Sequence, residues 1–375
     1  MKRREFLQGA ATASLLATGQ PRKPAKIPVP RVAGHSLAAI HTMVDMPEWA
    51  ADLGRRFDAG RFIRLCLENG VEVVEFKAKN AVGDAMFPFK GRPCFRDWVS
   101  ETCALAKEAG LQFIAYYNVG LDNWMAKQRP RWRCIDAEGQ ARIAFGAFNW
   151  MCIRSDWRDW VLDELQQMTE AIRPHGVWFD LLGTPNAYGI GSFDPAQACF
   201  CNHCRDAYRA KYGEELPSSS DDPQIRLRVN RFGHQARAQM FQDASDVILR
   251  IDPKLEIGYN GAGNYDRLGA TPQELTDRVT YNSSEAKQHR LISFTAKIIS
   301  SAGKPYQIHT YGGFIRMQPG AVMGTWAAWN LIPSSYLDVS AAVVSAHGGR
   351  LCIGVNPLPD GTVYGSELIL PHEIR

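Results

Sequence analysis

Three cysteines fall within six residues, Cys199-Phe200-Cys201-Asn202-His203-Cys204, in the spacing C-x-C-x-x-C. One tight turn with that spacing can aim three thiolates at a single ion about 2.3 Å away. Cys199 and Cys201, one residue apart, are poorly placed for a mutual disulfide. A tetrahedral zinc needs a fourth donor. Cys152 ends the connection after the third strand of the pattern described below, and the triplet lies in the connection after the fourth. Adjacent strands set those connections side by side, so Cys152 is the expected partner, with His203 as the alternative. Four protein thiolates leave no position for water, so such a zinc would be structural (Zn2+, not catalytic). Unligated thiols, a disulfide to a distant cysteine, an iron–sulfur site, or a three-thiolate zinc with bound water remain open at this point. Cys66 and Cys103 fall on helix faces and Cys352 in a strand, as small core residues do. Cys94 and Cys134 receive no assignment.

Carboxylates supply the second chemistry. His175-Gly176-Val177-Trp178-Phe179-Asp180 is an apolar run closed by an acid. At the end of a buried strand, beside aromatic residues, such a carboxyl can have its pKa tuned for catalysis. Cleaving a glycosidic bond with retention takes two carboxyl groups, a nucleophile and an acid/base. Glu285, in Tyr281-Asn282-Ser283-Ser284-Glu285, is the best placed second group. Glu75 and Asp45 are weaker alternatives. His41, Lys79, Asn80, Asn118, Tyr259, Asn260, His309 and Tyr311 also fall at strand ends, where polar side chains can hold sugar hydroxyls.

Eight short β-like runs would position these groups: Ser36–Met43, Val71–Ala78, Gln112–Val119, Gly176–Leu181, Leu255–Asn260, Arg278–Ser283, Tyr306–Tyr311 and Arg350–Val355. Several are almost wholly apolar, as strands covered on both faces must be. Phe57–Asn69, Arg96–Ala109 and Trp157–Ile172 have helix length and period, and Gly70 and Gly110 stand where a helix stops. Strand–helix alternation repeated eight times predicts an α/β protein of the (β/α)8 TIM-barrel class. Its longest connections, 122–149 and 183–217, would lie at the face that carries chemistry in such barrels.

At 375 residues, with 45% hydrophobic and 22% charged residues, the chain can fill one large barrel. Residues 1–33 read as a leader and tether, and 34–375 as the barrel. Lys2-Arg3-Arg4-Glu5-Phe6-Leu7 ahead of a mildly apolar stretch resembles a twin-arginine export signal. This implies the twin-arginine translocase as a transient partner and a periplasmic or secreted destination. Without residues 1–20, 40 basic residues face 38 acidic ones, so nothing favours nucleic acid or another polyanion. No segment has the ~20 apolar residues of a membrane anchor. Export after folding would let thiolates load zinc in a reducing compartment. Oligomeric state is left open.

"MCIRSDWRDWVLDEL" followed by "CFCNHCRDAYRAKYG" resembles the zinc-bearing segment of family-42 β-galactosidases, and more closely that of the related hypothetical glycosyl hydrolase 6 family. The resemblance covers residues 150–213 tightly and most of the chain loosely. It implies that Cys152, Cys199, Cys201 and Cys204 bind zinc. "GVWFD" is similar to the strand-four segment of family-29 α-L-fucosidases, whose aspartate is the nucleophile, and this implies that role for Asp180. The Asn-Glu pair that ends strand four in family-42 enzymes is absent, which favours the fucosidase-like placement. The implied substrate is an oligosaccharide or glycoside. Only twenty residues follow Val355, whereas the related proteins usually continue into further domains. The expectation is therefore a barrel that is either a naturally short form or a fragment truncated at its C-terminus, with a non-catalytic carbohydrate-binding or assembly protein as the alternative.

Overall fold

In the computed structural model the described residues are 38–42, 57–94, 96–144, 146–182, 198–261, 277–286, 289–311, 313–315, 329–331 and 334–355. Eight parallel strands form one sheet: β1 (Ala38–Thr42), β2 (Val73–Lys79), β3 (Gln112–Asn118), β4 (Gly176–Asp180), β5 (Glu256–Tyr259), β6 (Asn282–Glu285), β7 (Tyr306–Tyr311) and β8 (Arg350–Val355). Consecutive strands pair from β1 to β5 and from β6 to β8, and β8 returns to pair with β1, in the order β5-β4-β3-β2-β1-β8-β7-β6. This is barrel order. Across the remaining seam, β5 to β6, the contact is a single parallel bridge, Asn260 to Ser283. Thr280 N also donates to Ile257 O and Gly261 N to Ser283 O, each at 2.9 Å. The described residues carry no continuous ladder there, so this seam of the expected barrel is not closed.

Strand β6 begins later than the sequence pattern suggests, at Asn282 rather than Arg278. Asp277 and Arg278 are helical, and Thr280 Oγ1 accepts from Ile257 N, a side chain taking a ladder partner's place. The later start puts Glu285 inside the strand, opposite His309.

Alternation along the strands sorts side chains into two cores. Val73, Ile114, Tyr116, Trp178, Tyr281 and Cys352 pack inside the barrel. Val74, Phe76, Phe113, Ala115, Tyr117, Val177 and Phe179 point out against the helices. Gly258 faces inward because nothing larger fits. A Cβ there would meet Trp178 and Tyr281 at 2.3–2.6 Å. Deeper inside, Gln307 Nε2 donates to Glu75 Oε1 at 2.7 Å, and Arg350 donates to the side-chain oxygen Oε1 of Gln307. Glu75 is fully buried within this network, below the rim. It does not serve as the second rim carboxylate.

Helices α1 (Ala59–Glu68) and α2 (Trp98–Glu108) start at Asp58 and Asp97, whose side chains accept from Arg61 N and Ser100 N. These side chains satisfy amides the helix leaves open. Helix α2 stops at Gly110, whose φ of +81° favours glycine. The connection after β3 holds the short helix α3 (Asn123–Gln128) and a small antiparallel pair, Ile143–Ala144 with Phe148–Asn149. Next come α4 (Trp157–Ile172), α5 (Asn202–Tyr212) within the connection after β4, and the 29-residue α6 (Pro223–Ile251). Arg158 ties α4 to Asp243 of α6. None of the helices in the described residues is long and apolar enough to cross a membrane.

Candidate active site and metal centre

Parity decides which rim residues meet. On β4, Trp178 and Asp180 face inward while Phe179 packs outward on Phe241, ring centroids 5.8 Å apart. On β3, Tyr116 and Asn118 face inward, and Asn118 pairs in register with Asp180. Asp180 therefore receives three donors. Tyr116 Oη–H donates to its Oδ2 at 2.6 Å, and Asn260 Nδ2 donates to Oδ1 at 3.0 Å. Leu181 N donates to the same Oδ1 at 2.9 Å. Leu181 has a φ of +52°, a left-handed conformation costly for a leucine; it aims that amide back at the carboxylate.

Asn260 does more. The same Nδ2 donates to Glu285 Oε1 at 2.9 Å. Its two hydrogens thus bridge the carboxyl groups, and by the 3.0 and 2.9 Å bonds those oxygens lie at most 5.9 Å apart. Burial, then the charge of Glu285, pushes the Asp180 carboxyl up to about 6, against the hydrogen bonds of Tyr116 and Asn260 and the charge of Lys77. Two acids this close, in a partly enclosed site, suit a reaction in which one must be ionised while the other carries a proton.

The other rim candidates divide. Asn118 is buried and supports the site indirectly: its Nδ2 donates to Tyr116 Oη at 3.3 Å and its Oδ1 accepts from Leu121 N at 2.9 Å. His309 lies inside the barrel, edge-on to Trp178 at 6.4 Å. His41 holds a position on β1 between Gly354 and Glu75, and Tyr311 ends β7. The side chains of both, and Asp45, lie outside the described residues.

Three expectations are corrected. Tyr259 points outward and packs on Phe241, centroids 5.7 Å apart, because it has the parity of Phe179. Asn80 closes a turn, its Oδ1 accepting from Gly83 N and Asp84 N. Lys79 is fully buried, and its Nζ donates to Leu121 O at 3.0 Å and Asp122 Oδ2 at 3.1 Å. It belongs to a dry ionic cluster behind the rim. Arg92 binds Asp122 at 2.9 Å and Glu164 at 2.7 Å, and Glu164 also accepts from Trp160 Nε1 and the Tyr117 hydroxyl. Two cations balance two anions, as charges removed from water must be. Burial alone would raise the Asp122 carboxyl, yet Lys79 and Arg92 hold it below its ordinary range. The cluster fastens the connections after β2 and β3 to α4.

Cys152, Cys199, Cys201 and Cys204 are all buried, and their sulfur atoms lie within 4.8 Å of one another. Cys152 Sγ is 3.5 Å from that of Cys204 and 3.4 Å from that of Cys201. A disulfide would need about 2.0 Å, whereas a tetrahedral zinc with ~2.3 Å bonds spaces its sulfurs roughly 3.8 Å apart. The donor set fits a metal. Local structure explains the convergence: Cys201 caps α5 through its backbone and makes no side-chain cap bond, while Cys204 N donates to Cys201 O at 3.0 Å. That turn brings both thiols to one side. Cys152 arrives through its N–H to Trp132 O at 2.7 Å. His203 is exposed on α5 and lines an outer groove with Arg154, Arg158 and Asp206, so it does not stand in for Cys152.

Cys134, unassigned from sequence, is a fifth buried thiol beside the four. Its N–H donates to Trp150 O, and Phe200 N donates to Ile135 O, which places it between the Cys152 and Cys199 segments. Hydrogen bonding from Cys134, first, holds the Cys152 and Cys199 thiols below their ordinary range. Cys201 and Cys204 are pushed above it, first by hydrogen bonding with Cys152.

No family model and no curated protein sequence matches the chain. Solved structures do match its fold. α-L-Fucosidase isoenzyme 2 from Paenibacillus thiaminolyticus aligns with a TM-score of 0.70 at 19% identity, over 88% of this chain and 47% of that one. A β-galactosidase from the Antarctic haloarchaeon Halorubrum lacusprofundi aligns at 0.59 and 17% identity, over 84% and 52%. The glycoside hydrolase domain of PgaB from Bordetella bronchiseptica aligns at 0.64 and 10% identity, over 89% and 97%. The chain spans about half the length of the fucosidase and the galactosidase. It is similar in fold to these glycoside hydrolases.

Proposed function

We propose that the chain is an exported glycoside hydrolase, α-L-fucosidase-like or β-galactosidase-like, that cleaves an O-glycosidic bond with retention. In this reading Asp180 attacks the anomeric carbon while Glu285 gives its proton to the departing oxygen. Glu285 then takes a proton from the water that releases the sugar. The observation that carries it is the Asn260 amide shared by the two carboxyl groups, with their oxygens no more than 5.9 Å apart. Retaining enzymes hold their pair roughly 5–5.5 Å apart, whereas inverting enzymes leave room for a water at about 6.5–9.5 Å. Asn260 and Tyr116 fix the nucleophile's orientation, and the left-handed Leu181 adds a backbone donor. The resemblance of residues 150–213 to the zinc-bearing segment of the hypothetical glycosyl hydrolase 6 family, and the fold similarity to a fucosidase and a galactosidase, support the same class.

In this reading Cys152, Cys199, Cys201 and Cys204 hold one structural zinc. Bound there, it would cross-link the connections after β3 and β4 without joining the reaction, since four thiolates complete its shell.

A panel of nitrophenyl glycosides, including the α-L-fucoside and the β-D-galactoside, tests the activity; no turnover on any member by the intact protein would reject it. Glu285→Ala should separate substrates by leaving group. Activity on glycosides of poor leaving groups should fall by about 10²–10⁴-fold, the usual contribution of a positioned general acid. Dinitrophenyl glycosides, which need little protonation, should lose far less in the glycosylation step. An equal loss on both would remove Glu285 from the acid role.

Export rests on Arg3-Arg4 and the Phe6-Leu7 pair behind them. A reporter fused to residues 1–33 should reach the periplasm only where the twin-arginine translocase is present. Changing Arg3 and Arg4 to lysine should stop it. Unchanged transport without that translocase overturns the assignment.

A further inference from the structure

We infer that Lys77 is a positioning residue for the nucleophile: its ammonium sits on the face of the Tyr116 ring and acts through the phenol hydroxyl on Asp180. This rests on the reading of Asp180 given above.

The arrangement runs straight across three strands. Lys77 of β2 is in register with Tyr116 of β3, and Tyr116 with Trp178 of β4. Lys77 is 1% exposed, inside the barrel, with Nζ 4.5 Å from the Tyr116 ring centroid. The same ring stacks on Trp178, centroids 5.3 Å apart. At its tip, Tyr116 Oη–H donates to Asp180 Oδ2 at 2.6 Å. A lysine inside a barrel loses its hydration and must recover it from neighbours. An aromatic face is one partner, and the attraction is strongest where water is excluded. The cation also draws electron density from the ring, so the phenol hydroxyl becomes a better donor. A better donor favours the ionised carboxylate, the form a nucleophile needs.

The other groups facing this column are Glu285 at the rim, His309 edge-on to Trp178, and Glu75 two residues below Lys77 on its own strand. Glu75 is engaged by Gln307 and Cys352, and Arg350 lies over the Tyr281 ring. Burial and Glu285 work against ionisation of Asp180, while Lys77 works for it.

The test uses Lys77→Met and Lys77→Arg, each with Tyr116 intact and with Tyr116→Phe. Two readouts are taken on the full chain. One is the pH dependence of kcat/KM on an activated aryl glycoside. The other, independent of turnover, is the titration of the Asp180 carboxyl carbon by NMR, assigned by its loss in Asp180→Asn. Lys77→Met should move both midpoints up by about one pH unit, a tenfold loss of kcat/KM below the midpoint with little change well above it. Lys77→Arg, which keeps a charge that stacks on the ring, should restore most of it. With Tyr116→Phe in place, Lys77→Met should shift the midpoint by less than half as much. If Lys77→Met does not fold, Lys77→Gln carries the same expectation.

An unmoved Asp180 midpoint in folded Lys77→Met overturns the inference. So does an equal shift in both backgrounds, because the ring would then transmit nothing. A wild-type protein without glycosidase turnover would reject the proposed activity, and the NMR titration would still decide the role of Lys77.

Discussion

Asp180→Gly should lower turnover by about 10⁴-fold or more, the scale on which loss of a covalent nucleophile acts, and azide should restore part of it. Glycine leaves a space beside the anomeric carbon with its donors still in place: the Tyr116 hydroxyl and the Asn260 amide. A small anion held there can attack as the carboxylate did. The product should be a glycosyl azide of inverted configuration, because only one displacement then occurs. Its configuration, read by NMR, separates rescue of a nucleophile from general salt effects. Retained configuration, or no rescue in a folded variant, would sink the assignment. The pH profile adds a second check. The folded carboxyl titrates at about 6, raised from 3.8, so kcat/KM should rise with pH through about 6 as the nucleophile ionises.

The same shift has a stability consequence with a definite sign. A carboxyl raised in the folded state makes the folded protein bind protons more readily than the unfolded chain. The contribution of Asp180 to native stability is therefore fully present below 3.8 and progressively lost as pH climbs through about 6. Asp180 weakens the fold under the conditions in which it would work, a strain that sites built for chemistry commonly carry.

Asp180 was legible because an acid closing "GVWFD" can only sit at a strand end, and β4 ends on it. Its partners were harder to read. Tyr116-Tyr117 looks uniform in sequence, and only the parity set by Asn118 shows that Tyr116 faces inward. Parity would also have turned Tyr259 outward, since it matches Phe179 in register. Lys79 misled for another reason. The β2–β3 register shifts between Lys77 and Lys79, so Lys79 turns toward Tyr117, Trp157 and the buried ion cluster. A bulge of that kind leaves no mark in residue type. Several strand runs were visible as apolar segments because both faces of the sheet are covered. Strand β6 starts later than its apolar pattern suggests, since Val279 and Tyr281 are buried without yet being paired in the sheet.

Loss of one thiol from the four-cysteine cluster should have the largest effect on stability. The four sulfurs are buried and lie within 4.8 Å of one another, and a divalent cation would offset the repulsion among their thiolates. About one zinc per chain is expected, with X-ray absorption giving sulfur neighbours at about 2.3 Å. Metal binding of this kind is worth about 10–16 kcal/mol in isolated zinc-finger peptides. Here the barrel has its own core, so the loss should be smaller and should fall on the segment from Cys134 to α5. Cys201→Ser should lower the unfolding midpoint by several degrees at least and release the metal, while catalysis by the protein that remains folded changes little. Cys94→Ser, at a half-buried position off the cluster, should do neither. Cys134→Ser is the discriminating case. If the four cysteines suffice, that variant keeps its zinc, and the fifth thiol only buttresses the site. Loss of zinc in Cys134→Ser equal to that in Cys201→Ser would redraw the ligand set. Nitrogen and oxygen neighbours, or no zinc in the purified protein, would end the zinc assignment.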